Sequence, residues 1–269
     1  MTVRQTSSCS LFIAIREASR YCRRALQNVY FITGTDTGVG KTTLTTLLLL
    51  HLRRRGIHAL GMKPFCSGGG RDIRLISAAQ DHELSERELN PYRFSKPLAP
   101  GACAASKGIT LRDVAAAVRR VKRKCDVLLV EGAGGVQVPL TRSFAVIDLI
   151  DRLKSPAIIV AANKLGTINH TLLTLDALRA RNVETQSVVL MNQKRGDASA
   201  STNAKIIGEN RRFVRVIRTP YLGADATVFP ALQKAEKKIE KTIAQVLEPD
   251  TFCASSERRV DRMLRYEAR

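Results

Sequence analysis

Tryptophan is absent from this 269-residue chain, and aromatic residues make up only 5% of it. A surface that holds nucleic acid by stacking bases on aromatic rings is therefore not favoured. No apolar run approaches the roughly 20 residues that a membrane-crossing helix needs, so the expectation is a soluble, cytoplasmic protein. Acidic residues are scarce beside basic ones, 24 against 44, for a formal charge of +20. Such a surface attracts phosphates and polyanions. The basic stretches 53–55, 119–124 and 211–218 lie far apart, near expected helix ends, where cations complement the helix dipole. They point to a solvated basic surface rather than to a nucleic-acid partner. None of the six cysteines (9, 22, 66, 103, 125 and 253) forms a C-x-x-C pair, and no Cys/His cluster has zinc spacing. They read as free thiols in a reducing compartment.

Three segments are expected. Residues 1–28 carry five arginines against one acid, with several Ser and Thr, a composition like that of a transit peptide or of a loose extension. Residues 29–248 form the folded domain, and 249–269 a tail. No internal repeat is visible. Short apolar strands are expected at 29–33, 57–62, 126–130, 157–161, 186–191 and 214–217. Between and after them come helices at 42–54, 72–79, 111–122, 168–180 and 231–247. Residues 90–101 contain three prolines and read as a loop. This alternation implies an α/β fold: a doubly wound, mostly parallel sheet with helices on both faces. In such sheets ligands bind beyond the carboxyl ends of the strands. The polar and glycine-rich residues of this chain gather there.

The first strand is followed by Gly34-Thr-Asp-Thr-Gly-Val-Gly-Lys-Thr42. Glycines let the backbone turn its N–H groups inward onto phosphate oxygens, and the helix that follows adds the positive end of its dipole. Lys41 can reach the outer phosphates of a nucleotide and the Thr42 hydroxyl can meet Mg²⁺. The strict phosphate-loop pattern wants Gly where Thr35 stands, so this loop is a variant with a wider mouth. Gly38, Val39, Gly40, Lys41, Thr42 and Thr43 are the expected ATP-binding residues here.

Glu131 ends a buried apolar strand, where nucleotide-hydrolysing enzymes place a carboxylate for Mg²⁺, and Gly132, Ala133 and Gly134 let backbone approach a ligand. Asp72 is a second carboxylate, standing equally where an Asp caps a helix. Thr42, Asp72 and Glu131 would supply oxygen to the ion, phosphate and water completing its shell. Lys63, at the end of the second strand, points toward the phosphates, with Ser67 four residues on. Asn169, at the start of a helix, can hold an anionic group; the neighbouring His170 reads as structural or as part of an interface.

The phosphate loop, Lys63-Pro-Phe-Cys-Ser67-Gly, Glu131-Gly-Ala-Gly-Gly-Val-Gln-Val-Pro139-Leu and Leu165-Gly-Thr-Ile-Asn-His-Thr-Leu-Leu-Thr174 together resemble the dethiobiotin synthetases, a family of P-loop NTPase-type enzymes. Pro97-Leu-Ala-Pro100 and Pro220-Tyr-Leu-Gly223 add to the likeness, which spans about residues 29–230. The resemblance implies ligation of CO₂ to 7,8-diaminononanoate with ATP and Mg²⁺. A carbamate forms, attacks the γ-phosphate, and the second amine closes a ureido ring. It implies that Lys41 and Lys63 stabilise phosphate and carbamate, and that Ser67, Thr37 and Asn169 contact the substrate. It further implies that Asn192 and Gln193, with Pro220, Tyr221 and Leu222, receive the adenine. It also implies a homodimer with residues 165–169 facing the partner's phosphate loop. The loop between Ser67 and Asp72 is short, with three glycines, and departs from the family pattern. Two rivals are a related amidoligase and a nucleotide-switched DNA-partition ATPase. Against the second, Asp36 stands where such ATPases carry an early lysine in the loop.

Overall fold

The computed structural model describes residues 29–248 apart from Gly196 and Phe213. The expected extension 1–28 and tail 249–269 lie outside the described residues. The chain opens with β1 (Val29–Gly34), α1 (Lys41–Arg54), β2 (Ala59–Met62), β3 (Phe65–Ser67) and α2 (Arg71–Ala79). There follow α3 (Glu86–Leu89), β4 (Tyr92–Phe94), α4 (Leu111–Lys122), β5 (Val127–Gly135), α5 (Val146–Leu153) and β6 (Ala157–Asn163). Then come α6 (Thr167–Ala180), β7 (Thr185–Asn192), α7 (Asn203–Asn210), β8 (Val216–Thr219), α8 (Phe229–Lys238) and α9 (Glu240–Leu247).

Six strands form one sheet in the order β2-β5-β1-β6-β7-β8, every pairing parallel. The central strands are near-continuous apolar runs because helices cover both of their faces; Phe31, Ile32, Leu128 to Val130 and Ile158 to Val160 have no exposed surface. Close packing reaches the backbone at Gly61 of β2. A Cβ there would come within 2.7 Å of Ile76 Cγ2 and 2.8 Å of Leu49 Cδ1, so α1 and α2 both press on this strand. The connection leaving β1 runs toward β2, and the one leaving neighbouring β6 runs to β7 on the other side. Adjacent strands whose connections part in this way leave a crevice at their carboxyl ends, and it opens above β1.

The structure differs from the expected elements in three places. The proline-rich stretch 90–101 contains β4, which pairs in parallel with β3 as a separate two-stranded sheet. Phe65 stacks on Tyr92 there, with ring centroids 5.0 Å apart. The single helix expected at 231–247 is two, α8 and α9, broken at Ile239. Ile239 is buried, and the break lets α8 lie on α1 while α9 packs on β7 and β8 as well as on α1. The short helices α3, α5 and α7 were not expected from the sequence. The cap of α3 is a Ser85–Glu88 capping box.

Candidate active site

The phosphate loop closes on itself through glycines that no other residue replaces easily. Gly38 and Gly40 lie at φ 72° and 105°, where a Cβ is strained. Gly34 has an ordinary φ but no room: a Cβ would sit 2.7 Å from Asp36 O and 2.8 Å from Lys41 Nζ. Lys41, the first residue of α1, is buried and donates from Nζ to Asp36 O at 2.8 Å. Burial pulls its ammonium down to about 8. The carboxylate of Glu131 offsets part of that fall, and the charge on Lys63 adds to it. The loop therefore holds a cation that lacks a full counter-charge and is aimed at an anion.

Glu131 lies at the crossing of three groups and has no exposed surface. Its Oε1 accepts from Thr42 Oγ1 at 2.7 Å and from Lys63 Nζ at 2.8 Å, while Oε2 accepts from Thr45 Oγ1 at 2.8 Å. A buried carboxylate is tolerated only when paired and hydrogen-bonded in this way. Lys63 also donates to Asp72 at the start of α2. Burial alone would depress the Lys63 ammonium, but Glu131 and Asp72 outweigh it and raise its affinity for the proton above the ordinary value. Lys63 is thus a permanent positive charge and cannot serve as a proton acceptor near neutral pH.

Thr37, Gly38, Gly40, Lys41, Thr42 and Thr43 line a cleft of about 530 Å³ together with Lys63, Ser67, Asp72, Glu131, Ala133 and Gly134. The far wall is the segment from Pro97 to Pro100. The Ser67 hydroxyl is buried and has no hydrogen-bond partner among the described residues.

The AAA domain family matches residues 28–224. The ATP-dependent dethiobiotin synthetase BioD of Methanococcus vannielii is 41% identical over 162 residues, which cover 60% of this chain and 77% of that protein. The enzyme of the same name from Bacillus velezensis is 36% identical over 186 residues, 66% of this chain and 80% of that protein.

The chain belongs to the ATP-dependent dethiobiotin synthetase family.

The MinC:MinD cell division protein complex of Aquifex aeolicus contains a similar fold. The likeness has a TM-score of 0.51 at 15% identity and covers 80% of this chain and 96% of that one. At such identity it speaks for the P-loop architecture alone.

The remaining expected site residues of this dethiobiotin synthetase family member do not line the cleft. Val39 and Gly132 lie beneath it; a Cβ on Gly132 would meet Phe31 Cε1 at 2.8 Å. Asn192 is the last residue of β7 and Gln193 follows it, while Pro220, Tyr221 and Leu222 follow the end of β8. The β7 end borders the phosphate loop, since Met191 Cγ lies 3.1 Å from where a Cβ on Gly40 would be. Asn192 Oδ1 accepts from Asn163 Nδ2 at 2.7 Å, and Gln193 Nε2 donates back to Met191 O at 3.0 Å. Asn169 is exposed on the first turn of α6 and is not among the residues that line the cleft.

Three residues that contribute to the site were not singled out from the sequence. Thr45, one turn after Lys41, faces Glu131 and also donates to Lys41 O at 3.0 Å. The helical spacing from Lys41 was the available signal. Asn90 is buried and donates from Nδ2 to Lys63 O at 2.7 Å, fixing the backbone that carries Lys63. Arg71, immediately before Asp72, lines the cleft itself.

Proposed function

We propose that this chain catalyses the ATP- and Mg²⁺-dependent carboxylation and ring closure of 7,8-diaminononanoate with CO₂ to give dethiobiotin, ADP and phosphate, as a cytoplasmic enzyme. The observation that carries the reading is the convergence of Lys41, Lys63 and the Thr42 hydroxyl with two carboxylates on one cleft at the strand ends. Phosphoryl transfer from ATP to a carbamate oxygen needs little covalent participation from the protein. It needs positioning and neutralisation of charge on the transferring group. Burial makes the Lys41 charge costly, and phosphate oxygens beside it would offset that cost. Lys63 stays protonated, so it can stabilise the carbamate and the γ-phosphate without taking a proton from either. The unpaired Ser67 hydroxyl is free to bond the diamine or its carbamate.

The donor set Thr42, Asp72 and Glu131 is all oxygen, which suits a hard divalent cation. When bound, Mg²⁺ would neutralise charge on the outer phosphates. Lys63 Nζ bridges Asp72 and Glu131, which holds the two carboxylates together. Asn192, whose carbonyl side is already committed to Asn163, keeps its amide N–H₂ for an acceptor on adenine, with Pro220, Tyr221 and Leu222 beside it. A homodimer is supported by Leu165 and Leu173, which are 78% and 61% exposed at and near the start of α6, the helix that carries Asn169.

The test is ADP release measured with and without 7,8-diaminononanoate and bicarbonate, followed by mass detection of the cyclic urea. ADP release that ignores the diamine would overturn the reading and favour a related amidoligase.

A further inference from the structure

Arg71 is the one cationic side chain on the cleft that the reaction above does not use. Lys41 rests on a loop carbonyl and Lys63 on two carboxylates, but Arg71 pairs with no carboxylate among the described residues. Its guanidinium donates from Nε and Nη2 to one acceptor, Thr227 O, at 3.3 Å each. These are long bonds to an uncharged group, and they leave further N–H donors of a side chain that lines the cleft without a partner among the described residues.

The position is also wrong for a cation on local grounds. Arg71 is the first residue of α2, where the helix dipole favours negative charge. Asp72 beside it is committed to Lys63. A second guanidinium crowds the same turn: a Cβ on Gly70 would lie 2.6 Å from Arg93 Nη2. The glycines at 68–70, the stretch that departs from the family pattern, deliver α2 into this place. Thr227 belongs to the same border of the cleft as Thr43, whose hydroxyl donates to Ala226 O at 3.4 Å. The starts of α1 and α2 thus reach two consecutive carbonyls, and Arg71 comes to the cleft on the side of Thr43.

From this geometry we infer that Arg71 is a nucleotide-binding residue: it exchanges its weak bond to Thr227 for a charge-assisted one to the phosphate chain of ATP. The inference rests on the proposed use of ATP and deepens it. A guanidinium paired with phosphate is among the stronger polar contacts, and a lysine reproduces its charge but not its fork.

The experiment is a calorimetric titration of the full chain with ATP and with ADP, for the parent, Arg71→Ala and Arg71→Lys, with steady-state turnover alongside. Arg71→Ala is expected to weaken nucleotide binding about 10- to 100-fold, with the diamine KM unmoved and Arg71→Lys recovering part of the loss. A loss for both nucleotides places the contact on phosphates they share, and a loss confined to ATP places it on the γ-phosphate. Unchanged nucleotide Kd in Arg71→Ala overturns the inference, including the case where only thermal stability falls, since Arg71 would then merely tie down Thr227. If the parent itself binds no ATP, the functional reading fails and takes this inference with it. If the parent binds ATP and converts the diamine while Arg71→Ala binds ATP equally well, only this inference fails.

Discussion

Replacing Lys41 with Met should make the nucleotide-free protein more stable while abolishing its response to ATP. Burial, partly offset by Glu131, brings the Lys41 ammonium from 10.5 down to about 8. At about 1.4 kcal/mol per factor of ten in proton affinity, that fall costs the folded chain about 3 kcal/mol at neutral pH. The sign is fixed by linkage. The folded form binds the proton less tightly than the unfolded form, so the penalty is complete below about 8 and fades as pH rises toward 10.5. Lys41→Met removes the charge and keeps most of the buried stem. It gives up the bond to Asp36 O, a residue exposed enough for water to replace the donor. A net gain of about 1–2 kcal/mol is expected after that loss. For a domain of this size it corresponds to a rise in Tm of about 2–8 °C. The assay is thermal unfolding at pH 7, without nucleotide and with saturating Mg·ATP. The parent should gain about 2.7 kcal/mol at a hundredfold excess of ATP over Kd, and the variant nothing. A phosphate oxygen beside Lys41 also restores its proton affinity, so ATP binding should take up a proton above pH 8 and weaken as pH rises further. A variant less stable than the parent without nucleotide, or one that keeps the full ATP-induced rise in Tm, refutes the reasoning.

Two further substitutions probe the charges around the loop. Lys63→Met strands Glu131, which has no exposed surface, and should lower stability by about 3–5 kcal/mol in urea denaturation as well as abolish turnover; an unchanged midpoint would show that Thr42 and Thr45 suffice for that carboxylate. Glu236 is buried between α8 and α1, accepting from Arg54 Nη2 at 2.9 Å and lying 3.1 Å from His51 Nδ1. Burial lowers the proton affinity of His51, partly against its hydrogen bond with Glu236, so the folded form disfavours imidazolium and stability should fall as pH drops below 6.5. Glu236→Gln removes the acceptor charge that offsets this burial and should steepen the acid loss in pH-dependent unfolding; a curve identical to that of the parent would show that the pair is not coupled.

Those residues also mark where sequence reading reaches and where it stops. The phosphate loop was legible because its physics is local: an apolar run must end, glycines permit the turn, and Lys41 and Thr42 follow at fixed steps along a helix. Glu131 and Lys63 were legible because each ends an apolar run, and a parallel sheet brings its strand ends to one side. What those side chains touch was not legible. Lys63 could be read as aimed at phosphate, but not as clamped between Asp72 and Glu131, because those partners arrive from α2 and β5 through packing. β3 and β4 escaped notice because three-residue strands beside Pro64 and Pro91 carry no periodic signal, and they become strands only by pairing with each other. The break at Ile239 has neither Gly nor Pro to announce it. It lets α8 cover α1 while α9 reaches on to the sheet as well as to α1. Arg71 shows the limit most directly. In sequence it is one more arginine in a basic chain, next to an aspartate that would pair with it. In the fold that aspartate belongs to Lys63, and the guanidinium meets a carbonyl 156 residues away across the cleft. A surplus of positive charge says little about function while it is counted over the whole chain. It becomes informative at Arg71, where the neighbouring aspartate is bound to Lys63 and the guanidinium lines the cleft, and the proposed contact to phosphate rests on that placement.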